Sequence, residues 1–194
     1  MKAIIFDFDG VIGDTKELNY LIVKIINPNL SIEDFEKHHN GNVIEEPLFE
    51  IPEDFFEIQR DEFTKNNLFP LLDEIRYLSD KYSLFIVSSG REDNLNYFLK
   101  LGEIDSCFKE VLGCQFSSSK IKKIEYLLDK YSLKKNEVLF ITDTIGDLKE
   151  AKIAGIESIA VSWGYHHEDL LKTEKPFQVI HNFEELKGLI DYLE

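Results

Sequence analysis

The stretch Ala3-Ile4-Ile5-Phe6-Asp7-Phe8-Asp9-Gly10 constrains the fold of this chain more than any other. Four uncharged apolar residues in a row read as a strand buried on both faces, as in a parallel sheet. Two carboxylates stand at its end. They are two positions apart, so on a regular strand they project to the same side. Like charges so placed are unfavourable unless a cation lies between them, and carboxylate oxygens suit a hard cation such as Mg²⁺. The alternative, two solvated aspartates in a loop, sits badly after so apolar a strand.

Further short apolar runs fall at 84–87, 111–113, 138–141, 158–161 and 179–180. Helical patterns separate them, over 71–82, 92–100, 120–131, 147–154 and 183–193. This alternation predicts an α/β fold, a Rossmann-like parallel sheet of five or six strands. Residues 14–68 carry no strand signal. They read as three helices, 14–27 with a stripe of Leu18, Leu21, Ile22, Ile25 and Ile26, then 31–39 capped by Ser31, then 54–66. The expected organisation is a core of residues 1–14 and 68–194, with a small all-helical insert, 15–67, after the first strand.

The formal charge of −15 argues against binding nucleic acid through its backbone, which needs a basic surface. A phosphate site on so acidic a protein must rely on local cations, backbone N–H groups and a metal. No apolar run is long enough to span a bilayer, so no membrane partner is expected. The first residues read as a strand, not a signal peptide. Cys107 and Cys114 have neither metal-ligand nor redox-motif spacing, and the expected location is cytoplasmic.

In an open parallel sheet, ligands bind at the carboxyl ends of the strands. Four polar groups fall at or near such ends: Asp7 with Asp9, Ser88-Ser89-Gly90, the approach from Ser117 to Lys120, and Asp143 with Asp147. Each has a plainer reading, Ser88 and Asp147 as helix caps and Lys120, Lys122 and Lys123 as a solvated basic patch. A lysine at a helix start opposes the helix dipole, at a cost of about 0.3–1 kcal/mol when exposed, which an anionic partner would offset. Lys122 and Lys123 are read as solvated.

Phe6-Asp7-Phe8-Asp9-Gly10-Val11-Ile12-Gly13-Asp14-Thr15 resembles the first motif of the haloacid dehalogenase-like (HAD) hydrolase superfamily. Ser88 matches the second-motif hydroxyl and Lys120 the third-motif lysine, although the proline that often follows is absent and Lys122 stands as a possible substitute. Thr142-Asp143-Thr144-Ile145-Gly146-Asp147 resembles the fourth motif, with Thr142 in place of glycine. Residues 151–155 and 161–165 also resemble the phosphoglycolate phosphatase-like branch, and Gly10 to Thr15 looks very like the first motif of β-phosphoglucomutase.

The resemblance implies a Mg²⁺-dependent phosphomonoester hydrolase acting on a small phosphorylated metabolite. Asp7 would be the nucleophile and Asp9 the general acid and base. Ser88, Ser89 and Lys120 would hold phosphate. Asp7, the Asp9 carbonyl and Asp143 would hold the metal, and Asp147 would bind a metal water or orient Lys120. The insert would be a C1 cap, with Arg60 and His39, together with Arg91 of the core, as substrate contacts, and Lys16, His38 and Asn40 as further candidates. Two other readings stand beside it, a sugar phosphomutase of the β-phosphoglucomutase type and a non-catalytic binding relative.

Overall fold

The structure, a computed structural model, describes residues 1–192. Six strands, β1 (Ala3–Phe6), β2 (Ser83–Val87), β3 (Phe108–Leu112), β4 (Val138–Thr142), β5 (Glu157–Val161) and β6 (Gln178–Ile180), form one sheet in the order β3-β2-β1-β4-β5-β6. Every pairing is parallel. The first strand of the chain is therefore central, flanked by β2 and β4. Their carboxyl ends, which bear Asp7, Ser88 and Asp143, lie side by side.

Between β1 and β2 run α1 (Lys16–Lys24), α2 (Ile32–His38), α3 (Phe55–Glu62) and α4 (Leu72–Ser79). The rest of the chain adds α5 (Glu92–Leu101), α6 (Lys120–Lys130), α7 (Ile145–Ala154), α8 (Glu168–Thr173) and α9 (Phe183–Tyr192). The end expected for the last helix, at 193, lies outside the described residues.

Strand alternation divides the core into two layers. Ile4, Phe6, Leu84 and Ile86 pack against Ile75, Leu78, Leu95 and Phe98 on one face. Ala3, Ile5, Phe85 and Val87 pack against Ile124, Leu127, Ala151 and Ala154 on the other. β3 begins three residues before the expected 111. At the sheet edge only one side of a strand need be apolar, so exposed Lys109 and the half-buried Glu110 interrupt the run, and Glu110 pairs with Lys130 at 2.9 Å. The six-residue α8 was not expected. Half of it is charged and it buries Leu171 alone, which leaves no periodic signal.

The chain leaves and re-enters the core at one place. The Asp14 N–H donates to the Asn67 carbonyl at 2.7 Å and the Phe69 N–H to that of Ile12 at 2.9 Å. The stripe expected for α1 is corrected: Leu21, Ile25 and Ile26 are 56%, 63% and 43% exposed, and the buried face is Asn19, Ile22 and Val23. That face is turned toward the carboxyl ends of the strands, where Asn19 finds polar partners. Below the crossing point, Phe8 lies 5.6 Å from Phe98, and Phe63 stacks on Phe98 at 3.9 Å between centroids. Phe98 thus joins α5 to both β1 and the end of α3. Phe98→Ala should destabilise the protein by about 3–5 kcal/mol, as loss of a buried ring does. Chemical denaturation checks this.

Candidate active site

Asp7 extends β1 and is buried. Its Oδ1 accepts the N–H of Phe8 at 2.7 Å, and its Oδ2 lies 2.8 Å from Lys120 Nζ. The same ammonium donates to Asp147 Oδ2 at 2.6 Å. Lys120 is the first residue of α6, behind the N-cap Ser119, whose Oγ accepts from Lys122 N. Asp147 stands in the first turn of α7, and its second partner is the Thr142 hydroxyl at 2.7 Å. Thr142 stands where the family motif has glycine, and its hydroxyl buttresses the Lys120–Asp147 pair.

Asp143 follows β4 and is fully buried. Its Oδ2 accepts the Tyr165 N–H at 2.7 Å, while Oδ1 has no partner. Gly10, at φ +75°, and Gly164 press against this carboxylate, and a Cβ on either would collide with Oδ2. Asp9 is half-buried and meets two amides of the insert, Asn19 Nδ2 and Gln59 Nε2, each at 3.4 Å. Those amides are themselves fixed, Asn19 on the Tyr165 hydroxyl at 2.9 Å and Gln59 on Asn19 Oδ1 at 2.9 Å.

Burial dominates the electrostatics. Desolvation lifts Asp7 well above the usual carboxylate range despite Lys120, with Asp147 and Asp143 adding to the rise. It lifts Asp9 as well, and pushes Asp143 up to about 7. Burial also opposes the charges of Lys120 and Asp147, but here the ion pair prevails, so Lys120 stays protonated and Asp147 ionised.

Among the described residues no three His, Cys, Asp or Glu side chains gather closely enough to hold a metal ion by themselves. The expected set is smaller, two carboxylates and a main-chain carbonyl, and Mg²⁺ characteristically keeps several waters. The residues fit such an ion: a buried carboxylate oxygen without a partner belongs beside a cation, and Gly10 and Gly164 leave room only for backbone around it. Asp147, by contrast, has its Oδ2 committed to Lys120 and Thr142, which favours the orienting role over the metal.

Ser89, Gly90, Lys120 and His39 line a cavity of about 440 Å³ above Asp7 and Asp9. Ser88 lies just beneath it, fully buried, with its Oγ accepting the Gly90 N–H at 3.0 Å. Two expected contacts lie elsewhere. Consecutive helical residues point about 100° apart, so with Gln59 facing inward Arg60 faces out, stacked 4.9 Å over Tyr97. Arg91 is held by Asp93 at 2.9 Å and Glu57 at 3.2 Å. Lys16 bonds the Tyr165 carbonyl at 3.0 Å and pairs with Glu36. His38 also lines the cavity.

Lys123 corrects the expectation of a solvated side chain, whereas Lys122 is exposed. Lys123 is fully buried, and its Nζ donates to the Ser88 carbonyl at 2.5 Å. Burial, helped by the nearby Lys120 charge, brings it down to about 8. The signal was present: the buried face of α6 is Lys120, Lys123, Ile124 and Leu127, one i, i+3, i+4, i+7 stripe. Asn19, Gln59 and Tyr165 were also missed, the two amides because they occupy core-facing positions on helices that carry no motif.

A family model described as haloacid dehalogenase-like hydrolase matches residues 4–161. A protein of Caldanaerobacter subterraneus, provisionally named pyrophosphatase PpaX, is 26% identical and covers 98% of this chain and 94% of its own length. A phosphoglycolate phosphatase of Aliivibrio fischeri is 26% identical over 56% of this chain and 49% of that protein, so the match spans about half of it. Among solved structures, a hydrolase described as haloacid dehalogenase-like family protein SP0104 from Streptococcus pneumoniae superposes with a TM-score of 0.74 at 21% identity, covering 100% of this chain and 99% of that one.

Two outcomes test this geometry. Because Asp143 has a folded-state value near 7, above the unfolded one, its contribution to stability is complete below about pH 4 and is lost as pH rises through 7. A cation bound to the charged form offsets that loss, so Mg²⁺ should raise Tm more at pH 8 than at pH 5.5, and Asp143→Asn should abolish the difference. Thermal melts check both. Lys123→Met should change Tm only modestly, since relief of a desolvated charge offsets the loss of the donor to the Ser88 carbonyl. It should nevertheless lower kcat/KM on the order of ten- to a hundredfold by freeing the Ser88 loop, which steady-state kinetics reads directly.

Proposed function

The chain belongs to the haloacid dehalogenase-like hydrolase family, and from that premise we propose that it is a Mg²⁺-dependent phosphomonoester phosphatase working through an aspartyl-phosphate on Asp7. The observation that carries this reading is the buried group of Asp7, Lys120 and Asp147 beside the partnerless Oδ1 of Asp143. Four ionisable side chains so arranged have no use in a packed core, whereas phosphoryl transfer needs an in-line nucleophile and fixed positive charge.

Asp7 attacks phosphorus and forms a phosphorus–oxygen bond as the bond to the ester oxygen breaks. Asp9, whose raised pKa favours the protonated form, gives its proton to the departing alkoxide. Its carboxylate then takes a proton from water. The water oxygen bonds phosphorus, the bond to Asp7 breaks, and phosphate leaves with Asp7 restored. Lys120 neutralises Asp7 and the oxygens of the transferring group, and Asp147 with Thr142 holds that ammonium in place. Mg²⁺, held by Asp7, Asp143 and the Asp9 carbonyl, would add charge neutralisation at phosphorus. Ser89 lines the phosphate end and offers its N–H there, while the Ser88 hydroxyl shapes the turn by accepting the Gly90 N–H.

Residues 15–67 serve as a lid on the core formed by 1–14 and 68–194. Asn19 and Gln59 of that lid reach Asp9 itself, so closure sets the position of the acid and excludes water from it. The buried acids are all present, which disfavours a non-catalytic binding role.

Asp7 and Asp9 then have separable tasks. Asp7→Asn cannot form the acyl phosphate. Asp9→Asn retains nucleophile and main-chain carbonyl, and with an activated aryl phosphate it should become phosphorylated yet hydrolyse slowly. Intact-mass measurement should show phosphoenzyme accumulating in Asp9→Asn and none in Asp7→Asn. Label on Asp7→Asn would overturn the role of Asp7.

A further inference from the structure

The cavity that begins at Asp7 ends in hydrocarbon. Beyond Lys120 and Asp147 its walls are built by Val23, Phe35, Val43, Ile44, Phe49 and Phe55. The rings are ordered against one another, Phe35 parallel to Phe49 at 6.0 Å and Phe55 edge-on to Phe56 at 5.3 Å. Ile44 and Ile51 stand at the rim, 39% and 37% exposed.

Charge is distributed just as unevenly. Among the described residues lining the cavity, Lys120 is the one lysine or arginine, and two carboxylates already engage it. Cations around the cavity are spent elsewhere, Arg60 on Tyr97, Arg91 on Asp93 and Glu57, Lys16 on Glu36, Lys123 on the Ser88 carbonyl and Lys149 on that of Asn40. His39 is held neutral, down to about 3, by burial and by the adjoining His38. Its Nδ1 faces the Phe35 carbonyl at 3.1 Å, while His38 Nδ1 accepts the Leu48 N–H at 3.2 Å. The remaining charged lining residues are acidic, with Glu50 and Glu150 added to the catalytic aspartates.

We infer that the ester taken by this site carries an uncharged, apolar alcohol, best an aromatic one, in place of the carboxylate of phosphoglycolate or the second phosphate of pyrophosphate. The inference rests on the phosphatase reading above and adds the chemistry of the leaving group. An anionic tail in this cavity would surrender its water with no countercharge and with two glutamates for neighbours. A flat apolar alcohol would instead fill the space between the phenylalanines, whose edges and faces favour ring contacts. Cavities of roughly 300–1,000 Å³ enclose ligands of drug size, so 440 Å³ leaves room for a ring system after the phosphoryl group is seated. The missing second anion site also argues against a bisphosphorylated sugar, which a phosphomutase must hold at both ends.

The test compares kcat/KM of the Mg²⁺-loaded protein for benzyl phosphate, phosphoglycolate and pyrophosphate. Benzyl phosphate is chosen because its alkoxide is no better a leaving group than that of glycolate, so preference for it reports the cavity and not intrinsic reactivity. The expected result is a preference for benzyl phosphate of about tenfold or more over both anionic substrates, because an anion in this cavity is desolvated without a countercharge. Equal or better turnover of either anionic substrate would overturn the inference. Val43→Arg, which supplies a cation to the apolar wall, should lower the ratio of benzyl phosphate to phosphoglycolate turnover. An unchanged ratio would count against the wall as its source. If none of the esters is hydrolysed, the phosphatase reading fails on its own. Calorimetric titration with benzylphosphonate and phosphonoacetate still decides the cavity: tighter binding of benzylphosphonate supports the inference, and equal or tighter binding of phosphonoacetate overturns it.

Discussion

The structure is organised around one ammonium group. Lys120 Nζ sits among Asp7 and Asp147 with almost no exposure. Burying a charge costs several kcal/mol unless it is paired and hydrogen-bonded. Two carboxylates and a positive centre still leave a net negative site, so the arrangement is solved for Lys120 and not for the acids. The residual imbalance falls on Asp7 and Asp143, whose carboxyls are pushed up by desolvation, and on Asp143 Oδ1, which has no partner at all. A site that is electrostatically unfinished in the folded protein is one that a cation and a phosphate can complete. The parallel sheet makes this possible, because β2, β1 and β4 are neighbours and deliver their carboxyl ends to one spot.

The helices between β1 and β2 contribute more than a cover. Asn19 and Gln59 form a chain with the Tyr165 hydroxyl and Asp9, joining α1, α3 and the loop after β5. The loop after α2 is pinned to the core by its backbone: Gly146 N donates to the His39 carbonyl at 3.1 Å, and a Cβ at Gly146 would strike the Gly41 carbonyl. The segment that follows brings Val43, Ile44, Phe49 and Phe55 into the cavity wall. The insert thus meets the core at two places, through Asn19 and Gln59 at Asp9 and through His39 and Gly41 at the start of α7.

Much of this was legible in the sequence, for identifiable reasons. Fully buried strands such as 138–141 advertise themselves as unbroken apolar runs, and Asp7, Asp9 and Asp143 are conspicuous because charge follows such a run at once. What was obscured was polar chemistry on helices. Lys123 and Asn19 obey the same periodicity as the leucines and isoleucines beside them, yet a lysine or an amide is ordinarily assigned to solvent. Arg60 and Arg91 misled in the opposite sense. They stood out as substrate contacts, but neighbouring acids and a tyrosine face satisfy them at the surface. Chain order does not disclose which side of a short helix will face a cavity built by residues distant in sequence.

Two departures from the family motifs have compensations nearby. A proline often follows the third-motif lysine, fixing the first turn of its helix. Here Ser119 caps that turn, Glu150 Oε1 accepts the Lys120 N–H at 3.0 Å, and Lys123 ties the helix to the Ser88 carbonyl. Glycine at the fourth motif gives way to Thr142, whose hydroxyl becomes the second donor to Asp147. Both changes replace a backbone preference with side-chain hydrogen bonds to the same cluster. Positioning of the ammonium therefore depends on three buried side chains, Thr142, Asp147 and Lys123, and on the half-buried Glu150. Because such networks act as a unit, loosening any one of them displaces the charge that faces Asp7, even where the substituted atom touches no substrate.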